Sequence, residues 1–288
     1  MSKAADLLAK ADRKATATGP FGFFASSSRF EDAGDMYIEA ANAFRLEKDM
    51  INAGKAFEKA AQMQLKSESK DEAASTYIDA YKAFRKVDPE EAGRLLIQAI
   101  TLFTSRGQFR RAATYKQDLA TLYETELNDM PRAMDAYDEA GEWLSNDQAD
   151  ALANKAWLKV GEIAALQEDY PRAIAKYEQV ARASLGNNLT RWSMKDYFFK
   201  AGLCHIANKD IVSAKRAVEE YAELDPTFVQ TREYNLLVDV IAAVEDGDQE
   251  RFTDKVFQFD QFSKLDKWKT TILLRIKKSI QEEDDNIL

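Results

Sequence analysis

What this 288-residue chain lacks narrows its function before any motif does. It has a single cysteine, Cys204, so it holds no intramolecular disulfide framework and suits a reducing compartment. Its one histidine, His205, follows that cysteine directly. Adjacent helical residues point about 100° apart, which denies the two a direct nucleophile–base pairing. No apolar run approaches the roughly 18 residues needed to cross a bilayer. The opening MSKAADLLAKADRK mixes acids and bases and has no secretory core, so the expected location is the cytoplasm. Neither GxxxxGK[ST] nor GxGxxG occurs, so no loop is evident to cradle phosphate. Glu245-Asp246-Gly247-Asp248 rings its glycine with acids and lacks calcium-loop spacing, which fits a solvated turn. A net charge of −9 opposes general nucleic-acid binding. These absences predict no catalysis, no metal and no cofactor. With only five prolines and abundant Ala, Glu, Lys and Leu, the chain favours helix throughout.

What is present is a beat of about 20 residues. Small residues recur at Ala33, Ala53, Ala73, Ala92, Ala112, Ala133, Ala153, Ala173 and Ala214, with one further unit anchored near Ser193. Four residues after most anchors stands a large apolar side chain, among them Tyr37, Phe57, Tyr77, Leu96, Tyr137, Trp157, Tyr177 and Tyr197. Three further on, a small or aliphatic residue usually returns, as at Ala40, Ala60, Ala80 and Val160. Positions i, i+4 and i+7 share one helical face. A helix of about 14 residues plus a turn fills each step, and two make a hairpin. Turn signals fall on the beat at Lys48-Asp49, Asp88-Pro89, Arg106-Gly107, Met130-Pro131, Tyr170-Pro171 and Gly186-Asn187. The pattern predicts an all-α fold: a tetratricopeptide-like solenoid of helical hairpins over 1–225, with an apolar loop near 19–30. After Asp225-Pro226 the beat is lost. Residues 226–281 are expected to form a C-terminal helical bundle covering the last apolar face, and 282–288 an acidic tail.

A repeat scaffold without a catalytic constellation presents surfaces, and three stand out. In GPFGFFASSSRF, Phe21, Phe23 and Phe24 lie among Gly, Pro and Ser, in a stretch where residues 1–30 carry a net charge of +3. The rings either enter a membrane surface or pack on the first helices. Bases are scattered along the solenoid, including Arg110, Arg111, Lys116, Lys155, Lys159, Arg191 and Lys195. Lys155 and Lys159 are one helical turn apart, and Lys116, Lys155 and Lys195 are separated by about one hairpin each. Lys116 takes a slot that is apolar in other repeats, so the partner helix is expected to leave it uncovered. Such a row is either solvated or suited to an acidic, elongated partner. The third surface is the ending, Glu282, Glu283, Asp284, Asp285, Asn286, Ile287 and Leu288. It is either a frayed terminus or a short recognition element, with acids for steering and two aliphatics as anchors.

Several of these segments resemble one family. The run Ser193-Met194-Lys195-Asp196-Tyr197-Phe198-Phe199-Lys200-Ala201-Gly202-Leu203-Cys204 is similar to a characteristic stretch of the soluble NSF-attachment proteins, the α-SNAP family. So are RGQFRRAA at 106–113, AGEWLSNDQ at 140–148 and LDKWKTTILLRIKKSIQ at 265–281, in the same order. The resemblance implies a twisted sheet of helical hairpins with a C-terminal bundle. It implies an adaptor, monomeric alone, that coats an assembled SNARE four-helix bundle in several copies. That adaptor then recruits and stimulates a hexameric AAA ATPase of the NSF type, which separates the SNAREs during vesicle trafficking and membrane fusion. By resemblance, Lys116 and Lys155 face the SNARE bundle, with Lys159 and Lys195 as extensions of that surface. Phe21, Phe23 and Phe24 correspond to a membrane-contacting loop, which implies peripheral membrane association. Glu282, Glu283, Asp284, Asp285, Ile287 and Leu288 correspond to the ATPase-engaging tail. Ile287 departs from the leucine common at that position; a β-branched side chain preserves burial but alters fit, so the strength of ATPase stimulation is where this chain should differ. Other readings remain at this stage: a scaffold for extended peptides, or an enzyme with a cryptic site.

Overall fold

The computed structural model describes residues 2–17, 24–186 and 191–287, with the backbone alone described for 24–26, 191 and 282–287. Among the described residues there are fourteen α-helices and no strand. They are α1 (Lys3–Thr16), α2 (Phe24–Leu46), α3 (Met50–Lys66), α4 (Lys70–Phe84), α5 (Pro89–Ser105), α6 (Phe109–Thr125) and α7 (Met130–Asn146). Then follow α8 (Asp150–Leu166), α9 (Tyr170–Ala183), α10 (Arg191–Ala207), α11 (Ile211–Leu224), α12 (Arg232–Glu245), α13 (Gln249–Phe262) and α14 (Lys267–Ile287). A 3-10 turn, Phe228–Gln230, precedes α12.

The alanine beat is the packing pattern. Ala33, Ala53, Ala73, Ala92, Ala112, Ala133, Ala153, Ala173 and Ala214 are all fully buried. Most of the large side chains one turn later, from Tyr37 and Phe57 to Trp157 and Tyr177, are buried as well. The unit expected at Ser193 is shifted by one residue. Ser193 is exposed and Tyr197 half-buried, while Met194, Phe198 and Ala201 are buried. One step along a helix turns the face by about 100°, which exchanges a hydroxyl-bearing pair for Met and Phe.

Six of the helices, α3, α5 to α8 and α10, are longer than the beat suggested, 17 residues each, because most of the turns take only three or four. Two devices make such turns possible. The first is a left-handed backbone, at Lys48, Glu68, Asn128, Gln148, Glu168, Lys209 and the glycines 107, 186 and 247. The second is an aspartate that caps the next helix. Asp49, Asp88, Asp129, Asp169, Asp210 and Asp248 each accept a hydrogen bond from the backbone N–H three residues on. Each such cap is worth about 1 kcal/mol. Pro89, Pro131 and Pro171 sit in first turns, where a missing N–H costs nothing. Helix also begins earlier than the Phe-rich loop implied. Nothing after Gly22 breaks the chain, so Phe24 opens α2 and the serines at 26–28 are helical.

The chain divides into two compact units, Met1–Ala153 and Asn154–Leu288. In the first, each helix from α1 to α7 packs on the next, the hairpin stack expected of a tetratricopeptide-like fold. Asp12 ties α1 down: it accepts from Tyr37 Oη of α2 at 2.7 Å and pairs with Lys59 of α3 at 2.7 Å. In the second unit, Gly161 of α8 faces the Tyr177 ring of α9, and the nearest-neighbour pattern runs on from α9 to α14. Here α10 also packs on α12 and α14. The helices after residue 225 therefore share a core with those before it. Phe198 stacks on Tyr221 at 4.6 Å and meets Phe228 at 5.4 Å, and Phe199 stacks on Phe259 at 5.6 Å.

One glycine marks how tightly α3 and α4 approach. A Cβ on Gly54 would lie 2.3 Å from the buried Phe84 ring. On an exposed helix face Gly→Ala is stabilising by up to about 1 kcal/mol. At this position the sign reverses: Gly54→Ala is expected to destabilise by roughly 1–3 kcal/mol. A urea midpoint equal to or above that of the unsubstituted protein would contradict the close approach.

Candidate interaction sites

Lys116 stands on α6 in the first unit, and its setting differs from expectation. The side chain is only 19% exposed, and its ammonium pairs with Glu139 of α7. It also lies 5.6 Å from the centroid of the Trp143 ring, one turn along the same helix. Trp143 in turn meets Phe109 edge-on. The partner helix does cover Lys116, because Glu139 and Trp143 supply an anion and an aromatic face at i, i+4 spacing. Arg110 and Arg111, on the same helix, turn to Asp147 at 3.6 Å and to the Phe103 ring at 4.3 Å.

The other three expected cations belong to the second unit. Lys155, on α8, is exposed and has no ion-pair partner among the described residues. Lys159, the next turn of the same helix, is partly buried and is held by an interaction of its own. Lys195 of α10 pairs with Glu233 of α12 at 3.0 Å. With the buried face of α10 shifted to Met194, Lys195 no longer occupies the helical position that Lys155 holds on α8. Of the four lysines, Lys155 alone thus offers an unengaged charge among the described residues. Phe21, Phe23 and Leu288 lie outside the described residues, as do the side chains of Phe24, Glu282, Glu283, Asp284, Asp285 and Ile287. The backbone of 282–287 continues α14.

The second unit also holds two polar clusters that periodicity did not reveal. In the first, Lys200 of α10, 9% exposed, reaches Glu162 of α8 at 3.2 Å and Asp196 at 3.5 Å. Its ammonium lies between the Tyr177 and Trp268 rings, 5.7 and 5.5 Å from their centroids. Lys269 of α14 shares Asp196 at 2.7 Å and bonds Asp266 at 3.3 Å. Burial works to lower the Lys269 ammonium, but its bonds to Asp196 and Asp266 hold it above the ordinary lysine value. Together the two lysines clamp α14 to α10 and α8.

In the second cluster Glu178 of α9 accepts from Tyr221 Oη at 2.6 Å, lies 3.4 Å from His205 Nε2, and pairs with Arg182 at 3.1 Å. Burial alone would raise its carboxyl, but these partners hold it below the usual range. The one histidine is thus a structural partner of a glutamate. Its neighbour Cys204 is fully buried, and burial pushes its thiol well up, far from a reactive thiolate. Among the described residues no group of His, Cys, Asp and Glu is arranged to hold a metal ion, and no helix is long and apolar enough to cross a membrane. What the geometry offers is surface.

Comparison with known proteins agrees with that character. Residues 2–281 match the family described as soluble NSF attachment protein, SNAP. A relative from Schizosaccharomyces pombe, a probable vesicular-fusion protein sec17 homolog, is 54% identical over 98% of this chain and 97% of its own length. The alpha-soluble NSF attachment proteins of Saccharomyces cerevisiae and Homo sapiens are 42% and 41% identical. The yeast alignment covers all of both chains, and the human one 99% of this chain and 97% of the relative.

The Glu178 cluster carries a pH signature. Its folded-state carboxyl lies below the ordinary value of 4.5, so its stabilisation is complete above 4.5 and is lost as pH falls through the lower folded value. Glu178→Gln should lower stability at neutral pH and flatten the acid limb of the stability curve below that point. Urea midpoints from about pH 7 down to about pH 3.5 test this. Parallel acid limbs in the two proteins would remove Glu178 as the cause.

Proposed function

The chain belongs to the soluble NSF attachment protein family, and from that premise we propose that it is an adaptor for SNARE disassembly. It binds assembled SNARE complexes and recruits and stimulates the NSF-type hexameric ATPase that separates them, in support of vesicle trafficking and membrane fusion. It is not an enzyme. The observation that carries this reading is the family match over residues 2–281, which leaves no room for an added catalytic domain within that span. A stack of hairpins offering exposed helix faces accords with such work.

On this reading Lys116, Lys155, Lys159 and Lys195 meet the acidic SNARE bundle, and they do not contribute equally. Lys155 needs only to shed water. Lys116 and Lys195 must first give up Glu139 and Glu233, and an exchange of one carboxylate for another yields little net free energy. Residues 282–288 engage the ATPase, with Glu282, Glu283, Asp284 and Asp285 for attraction and Ile287 and Leu288 as anchors. Phe21, Phe23 and Phe24 contact the membrane, so the protein works in the cytoplasm and at membrane surfaces. We read 1–225 as the hairpin array and 226–281 as the bundle that closes it. The protein is a monomer alone, and several copies coat one SNARE complex, which makes individually weak contacts sufficient through effective concentration.

Retention on an immobilised, preassembled SNARE bundle tests the cationic face. Lys155→Ala should weaken retention roughly 3–10-fold at physiological salt, and Lys116→Ala by less. Equal retention of the Lys155 variant and the unsubstituted protein would remove that residue from the contact. With ATPase and a non-hydrolysable ATP added, the ATPase should be held on the bundle only with this protein and lost when 282–288 are removed. Failure of the protein to bind the bundle at all would overturn the adaptor reading.

The membrane reading has its own outcome. Replacing Phe21, Phe23 and Phe24 by Ser should reduce co-sedimentation with liposomes and slow disassembly of membrane-anchored SNAREs, while soluble SNAREs are separated at the usual rate. Equal slowing on soluble SNAREs would place the rings in the core instead.

A further inference from the structure

The last carbonyls of a helix have no partner within it and must find one elsewhere. At the C-terminus of α8 that partner is α14. Arg275 donates from one guanidinium nitrogen to Ala165 O at 2.8 Å and from another to Leu166 O at 2.8 Å. The same side chain approaches Glu168 at 3.6 Å and Tyr170 Oη at 3.5 Å. Two turns earlier Trp268 Nε1 donates to Glu162 O at 3.2 Å, and its ring meets Tyr177 edge-on at 5.8 Å. Trp268 and Arg275 are seven residues apart and so share one face of α14. Beside them Ile272, Ile276 and Ile280 are buried. A cation on the negative end of α8 also gains from the helix dipole.

This seat ends where the tail begins. Ile280 is buried, Gln281 is exposed, and the backbone of α14 continues as helix to Ile287. The acids 282–285 thus follow on a helix whose last buried residue is Ile280 and whose polar clamp, Arg275, lies about 10 Å back. That end resists helix on two counts. Anions at a helix C-terminus oppose the dipole, and like charges three residues apart repel. A short acidic turn would not hold this form alone; it persists as the continuation of a seated helix. A tilt of about 10° at Arg275 would carry the acids by about 2 Å, enough to pull a charge-assisted hydrogen bond out of range.

We propose that Arg275 is a positioning residue for the acidic tail: by bonding the final carbonyls of α8, it sets the direction in which the backbone helix of 282–287 presents the tail to the ATPase. This rests on the reading of the tail as the ATPase-engaging segment, and it adds a second requirement, that the tail be aimed as well as present.

The test uses the full-length protein, the assembled SNARE bundle and the NSF-type ATPase. Stimulation is measured as half-saturating concentration and maximum. Four forms are compared with the unsubstituted protein: Arg275→Gln, Arg275→Lys, a deletion of 282–288, and the deletion combined with Arg275→Gln. The expected result is that Arg275→Gln raises the half-saturating concentration roughly 3–10-fold with bundle retention unchanged. Arg275→Lys, which keeps the charge but can serve one carbonyl where the fork serves two, should fall between. In the deletion background Arg275→Gln should change nothing further, because its effect passes through the tail. Loss of stimulation on deletion with none in Arg275→Gln overturns this proposal and spares the tail reading. An equal loss from Arg275→Gln with and without the tail, or a matching loss of bundle retention, also overturns it, since the residue then acts on the fold at large. Full stimulation after deletion overturns the tail reading and this proposal together.

Discussion

The packing of both units depends on alanine at the point where one helix meets the next. Ala11, Ala33 and Ala60 are fully buried in one cluster with Tyr37 and Met63, which joins α1, α2 and α3. A methyl group admits a close approach between backbones, and the ring one turn away fills the space that the methyl leaves. Glycine extends the same logic where a methyl would crowd the neighbouring side chain, most tightly under Phe84 at Gly54 and also under Tyr177 at Gly161 and Leu237 at Gly202. Close packing of this kind tolerates no slack in the connections. Turns of three or four residues, built from a left-handed backbone followed by a capping aspartate, return the chain at the necessary distance. The 20-residue beat is thus the sum of a helix whose length is set by packing and a turn whose length is set by capping.

Charge is handled differently across the molecule. On helix surfaces ion pairs are exposed and contribute little individually. In the second unit, by contrast, Lys200 and Lys269 are largely withdrawn from water and are held by the partly exposed Asp196 and Glu162, with Tyr177 and Trp268 as aromatic faces beside Lys200. Desolvation of such groups is offset only when every member keeps its partners. The cluster therefore favours one arrangement of α8, α10 and α14 over any that separates a lysine from its carboxylates. Arg275 on the α8 carbonyls enforces the same arrangement at the other end of the contact. An apolar interface would hold these helices together equally well; a polar one also fixes their register.

The comparison of residues with structure shows where sequence reasoning holds and where it fails. The burial of every alanine anchor was legible, because period and residue size together specify a helix face. The unit at α10 was misplaced by one residue because Ser193 mimics the small anchor, while the buried position is taken by Met194. The length of α3, α5 to α8 and α10 was underestimated, while α9 and α11 have the expected 14 residues, because turn signals mark where a turn is and not how few residues it needs. Lys116 was expected to be bare because its slot breaks the apolar pattern. The pattern along α6 carries no information about what α7 places opposite it, and α7 places Glu139 and Trp143.

By itself, then, the sequence determined the all-helical fold, the beat of the hairpins and the family, since each depends on residues near one another along the chain or on their order. The tertiary structure alone decided which lysines are available and which are already paired. It also decided that Trp268 and Arg275 close onto carbonyls more than a hundred residues earlier, and that the acids of the tail continue a seated helix. The physical reason is the same in each case. A helix dictates its own faces through local periodicity, but the partner of a charge or a carbonyl is chosen by whichever distant side chain the packing brings within about 3 Å.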